Sequence, residues 1–143
     1  MSCLFNSISH FIQDSNSSEV RAKICDYLKA NKPLIDGIET KDILEFEGSN
    51  YISKMRGSGT WGGGIEIQSA CNIWKLRIII INRRDNSKSI EFLPVSGNYK
   101  RSIELEWTGG HYEPVRETRH VEYKRIIKIK TKRDKIKIIV ISK

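Results

Sequence analysis

Ser2-Cys3-Leu4-Phe5-Asn6-Ser7-Ile8-Ser9-His10-Phe11-Ile12 sets apolar side chains at positions 4, 5, 8, 11 and 12, the spacing of one helical face. A helix is expected from Cys3 to Ile12. Cys3 enters it at the N-terminal end, where unpaired backbone N–H groups and the helix dipole favour thiolate over thiol. A nucleophilic Cys3 requires a base from elsewhere in the chain. The segment Thr108-Gly109-Gly110-His111-Tyr112-Glu113-Pro114-Val115 offers one. In an extended segment residues i and i+2 point to the same side, so Glu113 can bond the His111 ring and hold it toward Cys3. Cys3, His111 and Glu113 are therefore the candidate nucleophile, base and orienting acid.

Beyond the first helix, polar Gln13 to Ser18 make a break. Asn16-Ser17-Ser18-Glu19 then reads as a capping box for a second helix, with Val20, Ile24, Tyr27 and Leu28 on one face and an end before Pro33. Cys25 lies beside that face and is expected to pack rather than react. Ile43, Leu44 and Phe46, then Tyr51, Ile52 and Met55, imply two short helices around Gly48. Gly57-Ser58-Gly59-Thr60-Trp61-Gly62-Gly63-Gly64 contains G-x-G-x-x-G, but a dinucleotide site needs a strand before it. Tyr51 to Arg56 has helical spacing instead, which sets that reading aside.

A helix is expected over Ile65 to Ile73, followed by a central strand, Leu76 to Ile81, buried on both faces. Arg83 to Ser87 turns the chain, Ser89 to Leu93 and Ser102 to Trp107 form two more strands, and His111 to Val115 is a fourth or its entry. In residues 117–143, Ile126, Ile127 and Ile129 alternate with lysines, as do Ile136, Ile138 and Val140, around Lys132-Arg133-Asp134. That pattern reads as a basic β-hairpin whose lysines protect an edge. Helices first and a small mixed sheet after them make the fold α+β.

With 143 residues and 38% hydrophobic content the chain suits one domain, residues 1–143, with 117–143 as an extension. No apolar run has transmembrane length and no secretory leader is visible, so a soluble, cytoplasmic protein is expected. A monomer is the default expectation, which no sequence feature decides. Three cysteines without a C-x-x-C pair argue against a disulfide framework or a zinc cluster, and no metal or cofactor is expected. Residues 1–115 carry 14 basic and 14 acidic side chains, whereas residues 116–143 carry 11 basic and 3 acidic, so the net charge of +8 belongs to the tail. The tail has only Tyr123 as an aromatic, so nucleic-acid binding through it would be non-specific and salt-sensitive. His10 and His120 read as surface residues.

Cys3-Leu4-Phe5, Thr60-Trp61-Gly62-Gly63 leading into Glu66-Ile67-Gln68-Ser69-Ala70, the Ile-rich strand, and Gly110-His111-Tyr112-Glu113 together resemble the ordered blocks of the ovarian-tumour (OTU) cysteine proteases. The resemblance covers residues 2 to 116. It implies a papain-like α+β fold of OTU type and a deubiquitinase, which hydrolyses the isopeptide bond after the C-terminal glycine of ubiquitin. By position, Cys3 matches the nucleophile and His111 the base, while Glu113 falls where the family more often has Asp or Asn. Ser2 and Cys3 would form the oxyanion hole, and Trp61, Trp107, Gly110 and Tyr112 would line a channel for the Gly-Gly tail. Ubiquitin, polyubiquitin or a ubiquitin-like modifier is the expected partner. The family usually has Asp-Gly and one more residue before its cysteine, and here Met1 stands at the glycine position. This implies an oxyanion hole built from fewer residues, a truncated start or reduced activity. A catalytically impaired ubiquitin-binding module is thus the alternative, with a nucleic-acid binder behind it. The Ile- and Lys-rich usage points to an AT-rich source, viruses among the candidates.

Overall fold

The computed structural model describes residues 2–85, 88–119, 124–130 and 136–142. Helix α1 spans Cys3–Ser9 and buries Leu4, Phe5 and Ile8. It stops three residues before the expected end at Ile12. There Phe11 N–H bonds the Ile8 carbonyl and Ile12 N–H the Ser9 carbonyl, a tighter turn that still brings Ile12 into the core. Helix α2, Ser17–Lys29, begins with the expected capping box: Asn16 Oδ1 accepts from Glu19 N–H at 2.9 Å, and Glu19 Oε1 accepts from Asn16 N–H at 3.4 Å. Its buried stripe is Val20, Arg21, Ile24, Cys25 and Leu28. Tyr27 is only half-buried, because its hydroxyl turns outward to the Pro33 carbonyl. Helices α3, Thr40–Glu47, and α4, Tyr51–Met55, flank Gly48, and α5 runs Gly64–Trp74. Because α4, not a strand, precedes the glycine stretch, the G-x-G-x-x-G pattern is not a dinucleotide turn. Gly62 is needed there for another reason: a Cβ would sit 2.7 Å from Leu4 Cδ2 and 2.9 Å from Phe5 Cζ.

Strands β1 (Leu76–Asn82), β2 (Lys88–Phe92), β3 (Arg101–Trp107) and β4 (Tyr112–Arg119) form one sheet in the order β2-β1-β3-β4. β1 is parallel to β3, and the other pairs are antiparallel. The fold is α+β, with the helices packed on this mixed sheet: α5 lies against β1, and α1 against β4. Leu76, Ile78, Ile80, Ile103 and Leu105 meet Leu4, Phe5, Ile8, Ile24 and Ile67 in one core.

β1 is central as expected but is not buried on both faces. Ile79 and Ile81 are half-buried. The register sets Glu91 and Glu104 beside Ile79, and Glu106 beside Ile81. These carboxylates pair with Arg77, Arg116 and Arg83 respectively, so ion pairs and their aliphatic stems occupy the face opposite the helices. Strands β5, Lys124–Lys130, and β6, Ile136–Ser142, pair antiparallel as a separate two-stranded sheet, the expected hairpin. Its connecting residues 131–135, and His120, lie outside the described residues.

Candidate active site

The start of α1 and the start of β4 face each other across an open cleft of about 370 Å³. Ser2, Cys3, Asn6, Ser7 and His10 line one side, and His111, Tyr112, Glu113 and Pro114 the other. The first wall is one helical face, since positions 3, 6, 7 and 10 recur at i, i+3, i+4 and i+7. Ser7 Oγ donates to the Cys3 carbonyl at 2.7 Å, which anchors the first turn. Cys3 is partly exposed to the cleft, whereas Cys25 and Cys71 are fully buried. Burial pushes the Cys71 thiol up to about 12 and raises that of Cys25, so neither supplies thiolate at neutral pH.

On the opposite wall His111 Nε2 and Glu113 Oε1 are 2.5 Å apart. The carboxylate accepts the Nε2 proton, so in the neutral imidazole Nδ1 carries the free lone pair. Two features fix this segment. A bulge lies between Glu104↔Arg116 and Leu105↔Pro114, leaving Val115 as the extra residue and Pro114, which has no N–H, at the irregularity. The turn before it closes through Thr108 N–H to the His111 carbonyl at 3.1 Å. Gly109 has φ +107, and a Cβ there would collide with the Arg84 stem at 2.2 Å. Tyr112 stays protonated, its hydroxyl pushed up by burial first and then by negative charge at Cys3 and Glu66.

Trp61, Trp107 and Gly110 do not line this cleft, whereas Tyr112 does. Trp61 is half-exposed on its loop, and the Trp107 ring lies 5.9 Å below the Arg84 guanidinium. Ser2 borders the cleft while its hydroxyl is tied to neighbouring segments: Oγ donates to the Ser58 carbonyl at 3.3 Å and accepts from Arg21 Nη2 at 3.2 Å. His10 is exposed, as read from sequence, yet it also borders the cleft. Among the described residues no three His, Cys, Asp or Glu side chains converge as a metal site requires, and no helix is long and apolar enough to cross a membrane.

Glu66 is a supporting residue that pattern alone does not identify. It is 1% exposed, accepts from Gly63 N–H at 2.7 Å and from the Tyr51 hydroxyl at 2.7 Å, and so ties the Trp61-Gly62-Gly63 loop to α5. Burial raises its pKa despite these hydrogen bonds and the nearby Arg21. The folded state therefore holds this proton more tightly than the unfolded chain. Stability should fall as pH rises from the ordinary glutamate range, about 4.3, through the raised folded value, and return on acidification. Glu66→Gln removes that contribution. Urea midpoints between about pH 4 and 8 should show the wild type losing stability relative to the variant as pH rises; parallel curves would contradict the assignment.

Residues 2–112 match the family described as OTU-like cysteine protease. The chain belongs to that family. OVARIAN TUMOR DOMAIN-containing deubiquitinating enzyme 10 of Arabidopsis thaliana is 30% identical over 110 residues, covering 74% of this OTU chain. The chain spans only 30% of that relative's length. An OTU domain solved in complex with ubiquitin superposes with a TM-score of 0.65 at 20% identity, over 82% of this chain and 64% of that one. The viral OTU domain protease from Dera Ghazi Khan virus gives 0.61 at 21% identity, over 82% and 76% of the two chains. At these identities the two structures establish the OTU fold.

Proposed function

We propose that this OTU domain is a deubiquitinating cysteine protease that hydrolyses the bond after the C-terminal glycine of ubiquitin, with Cys3, His111 and Glu113 as its triad. The observation that carries the proposal is the single cleft that Cys3 shares with the hydrogen-bonded His111–Glu113 pair. His111 Nδ1 takes the Cys3 proton, and the thiolate attacks the glycine carbonyl. The Cys3 N–H and the Ser2 segment stabilise the resulting oxyanion, a role in which one donor is typically worth about 100- to 1000-fold in rate. Collapse breaks the C–N bond, and the lysine amine leaves with the proton from His111. Water, deprotonated by the same ring, then splits the thioester and restores the thiol. Tyr112 walls the cleft and is the proposed contact for the Gly-Gly tail, whereas Trp61, Trp107 and Gly110 would meet ubiquitin only outside the cleft. Ubiquitin as partner is supported by the ubiquitin complex of the similar domain, and ubiquitin-like modifiers are further candidates. Residues 1–143 act as one domain, with 117–143 as an appended hairpin.

The test is a ubiquitin probe carrying a C-terminal electrophile. A covalent adduct mapped to Cys3 and lost in Cys3→Ala is expected. A folded wild-type chain that binds ubiquitin but forms no adduct would instead support an impaired binding module. Glu113 has its own signature. Its amide counterpart can still accept from Nε2–H, so Glu113→Gln should lower kcat by about tenfold and Glu113→Ala by about 100-fold or more. Steady-state hydrolysis of a ubiquitin C-terminal fluorogenic amide checks this order, and equal losses would remove the orienting role.

A further inference from the structure

Arg21 lies on the buried stripe of α2 and is 4% exposed. Its guanidinium sits 4.1 Å above the Phe5 ring and reaches three points outside its own helix. Nη1 donates to the Met55 carbonyl at 2.8 Å and touches Met55 Sδ at 3.8 Å. Nη2 donates to Ser2 Oγ at 3.2 Å and to the Ser58 carbonyl at 3.4 Å. Burying a guanidinium is costly unless its donors are matched. This one is spent on the residue before Cys3, on the Phe5 ring two residues after it, and on the loop after α4.

We infer that Arg21 is a positioning residue for Cys3, its buried guanidinium locking Ser2 against the Ser58 loop so that the thiol is presented to His111 in one geometry; this rests on the proposed protease reading. The Ser2 side chain makes no capping bond to α1. With its hydroxyl drawn to Arg21 and Ser58, the entry to the helix is fixed by tertiary contacts. A displacement of about 1 Å at a nucleophile can cost on the order of 100-fold in rate, so this clamp acts on kcat rather than on substrate affinity. Lysine cannot replace it, because a single ammonium lacks the planar fork that spans Met55 and Ser2 at once.

The experiment compares wild type, Arg21→Lys, Ser2→Ala and the double variant. It uses hydrolysis of a ubiquitin C-terminal fluorogenic amide and the rate of Cys3 alkylation by iodoacetamide, with thermal unfolding as the check on folding. Arg21→Lys should lose about 10- to 100-fold in kcat with KM within about twofold, and Cys3 alkylation should slow. Ser2→Ala, which leaves the core intact, should lose part of the same kcat. The double variant should be no slower than Arg21→Lys, since both break one clamp. If Arg21→Lys fails to fold, the kcat loss of Ser2→Ala alone carries the test. A wild type inert to the ubiquitin substrate overturns the protease reading and this inference with it. An active wild type whose Arg21→Lys or Ser2→Ala variant keeps full kcat overturns the Arg21 assignment alone, as does a double variant whose losses simply multiply.

Discussion

Cys3→Ala and His111→Ala should each reduce hydrolysis of a ubiquitin C-terminal amide by on the order of 10⁴-fold or more, and the double variant should be no worse than either. In the proposed triad nucleophile and base act as a unit: without the thiol there is nothing to attack the carbonyl, and without the ring there is no base to accept the thiol proton. Neither change should perturb the fold by more than about 1 kcal/mol, because Cys3 is partly exposed and His111 half-exposed outside the core. Ubiquitin affinity, measured by titration, should stay within about twofold, because in the proposed mechanism both residues act on the transition state rather than on ground-state binding. His10→Ala is the informative control. His10 borders the same cleft but stands seven residues beyond Cys3 at the end of α1, about 10 Å along the helix axis, too far to take the proton. It should retain turnover within a few-fold. A His111→Ala enzyme within tenfold of wild type, or a His10→Ala enzyme as slow as expected for His111→Ala, would assign the base elsewhere.

Local signals made much of the fold readable. The Asn16–Glu19 box, the break at Gly48 and the Ile-rich β1 each depend on residues within one turn or one strand of each other, and each stands where expected. The His111–Glu113 pair belongs to the same class, because i and i+2 share a side of an extended chain whatever surrounds it. Arg21 and Glu66 are different. Each sits on a helix among buried residues, and their partners, Met55 and Ser2 for Arg21 and Tyr51 for Glu66, come from other segments. The sequence sign was present in the arginine at 21 on the 21, 24, 28 stripe of α2, but its meaning depends on what folds against it. The face of β1 is a third case. A run of isoleucines reads as doubly buried, yet only the neighbouring Glu91, Glu104 and Glu106 and their arginines decide that the second face holds ion pairs. The Cys3, Asn6, Ser7 and His10 row belongs with these, because it becomes a cleft wall only when its counterpart on β4 is in place.

The second large effect is on stability, at Phe5. Phe5→Ala should cost about 3–5 kcal/mol, a large part of the 5–15 kcal/mol available to a domain. The ring is 0% exposed, lies in the core with Leu4 and Ile8, and meets the backbone of Gly62 so closely that no Cβ fits between them. It is also the surface on which the Arg21 guanidinium rests at 4.1 Å. Truncation therefore opens a cavity and exposes a buried charge to it, two penalties that do not relax together. Phe5→Leu keeps most of the volume and should cost clearly less, while losing the cation–π contact. Phe46→Ala supplies the scale: Phe46 is 96% exposed on α3, and its removal should change stability by no more than about 0.5 kcal/mol. Urea unfolding of the three variants reads the order directly. If Phe5→Ala were as mild as Phe46→Ala, α1 could not be the element that joins core to cleft. Cys3 would then owe its position to something other than the packing of the residue two places after it.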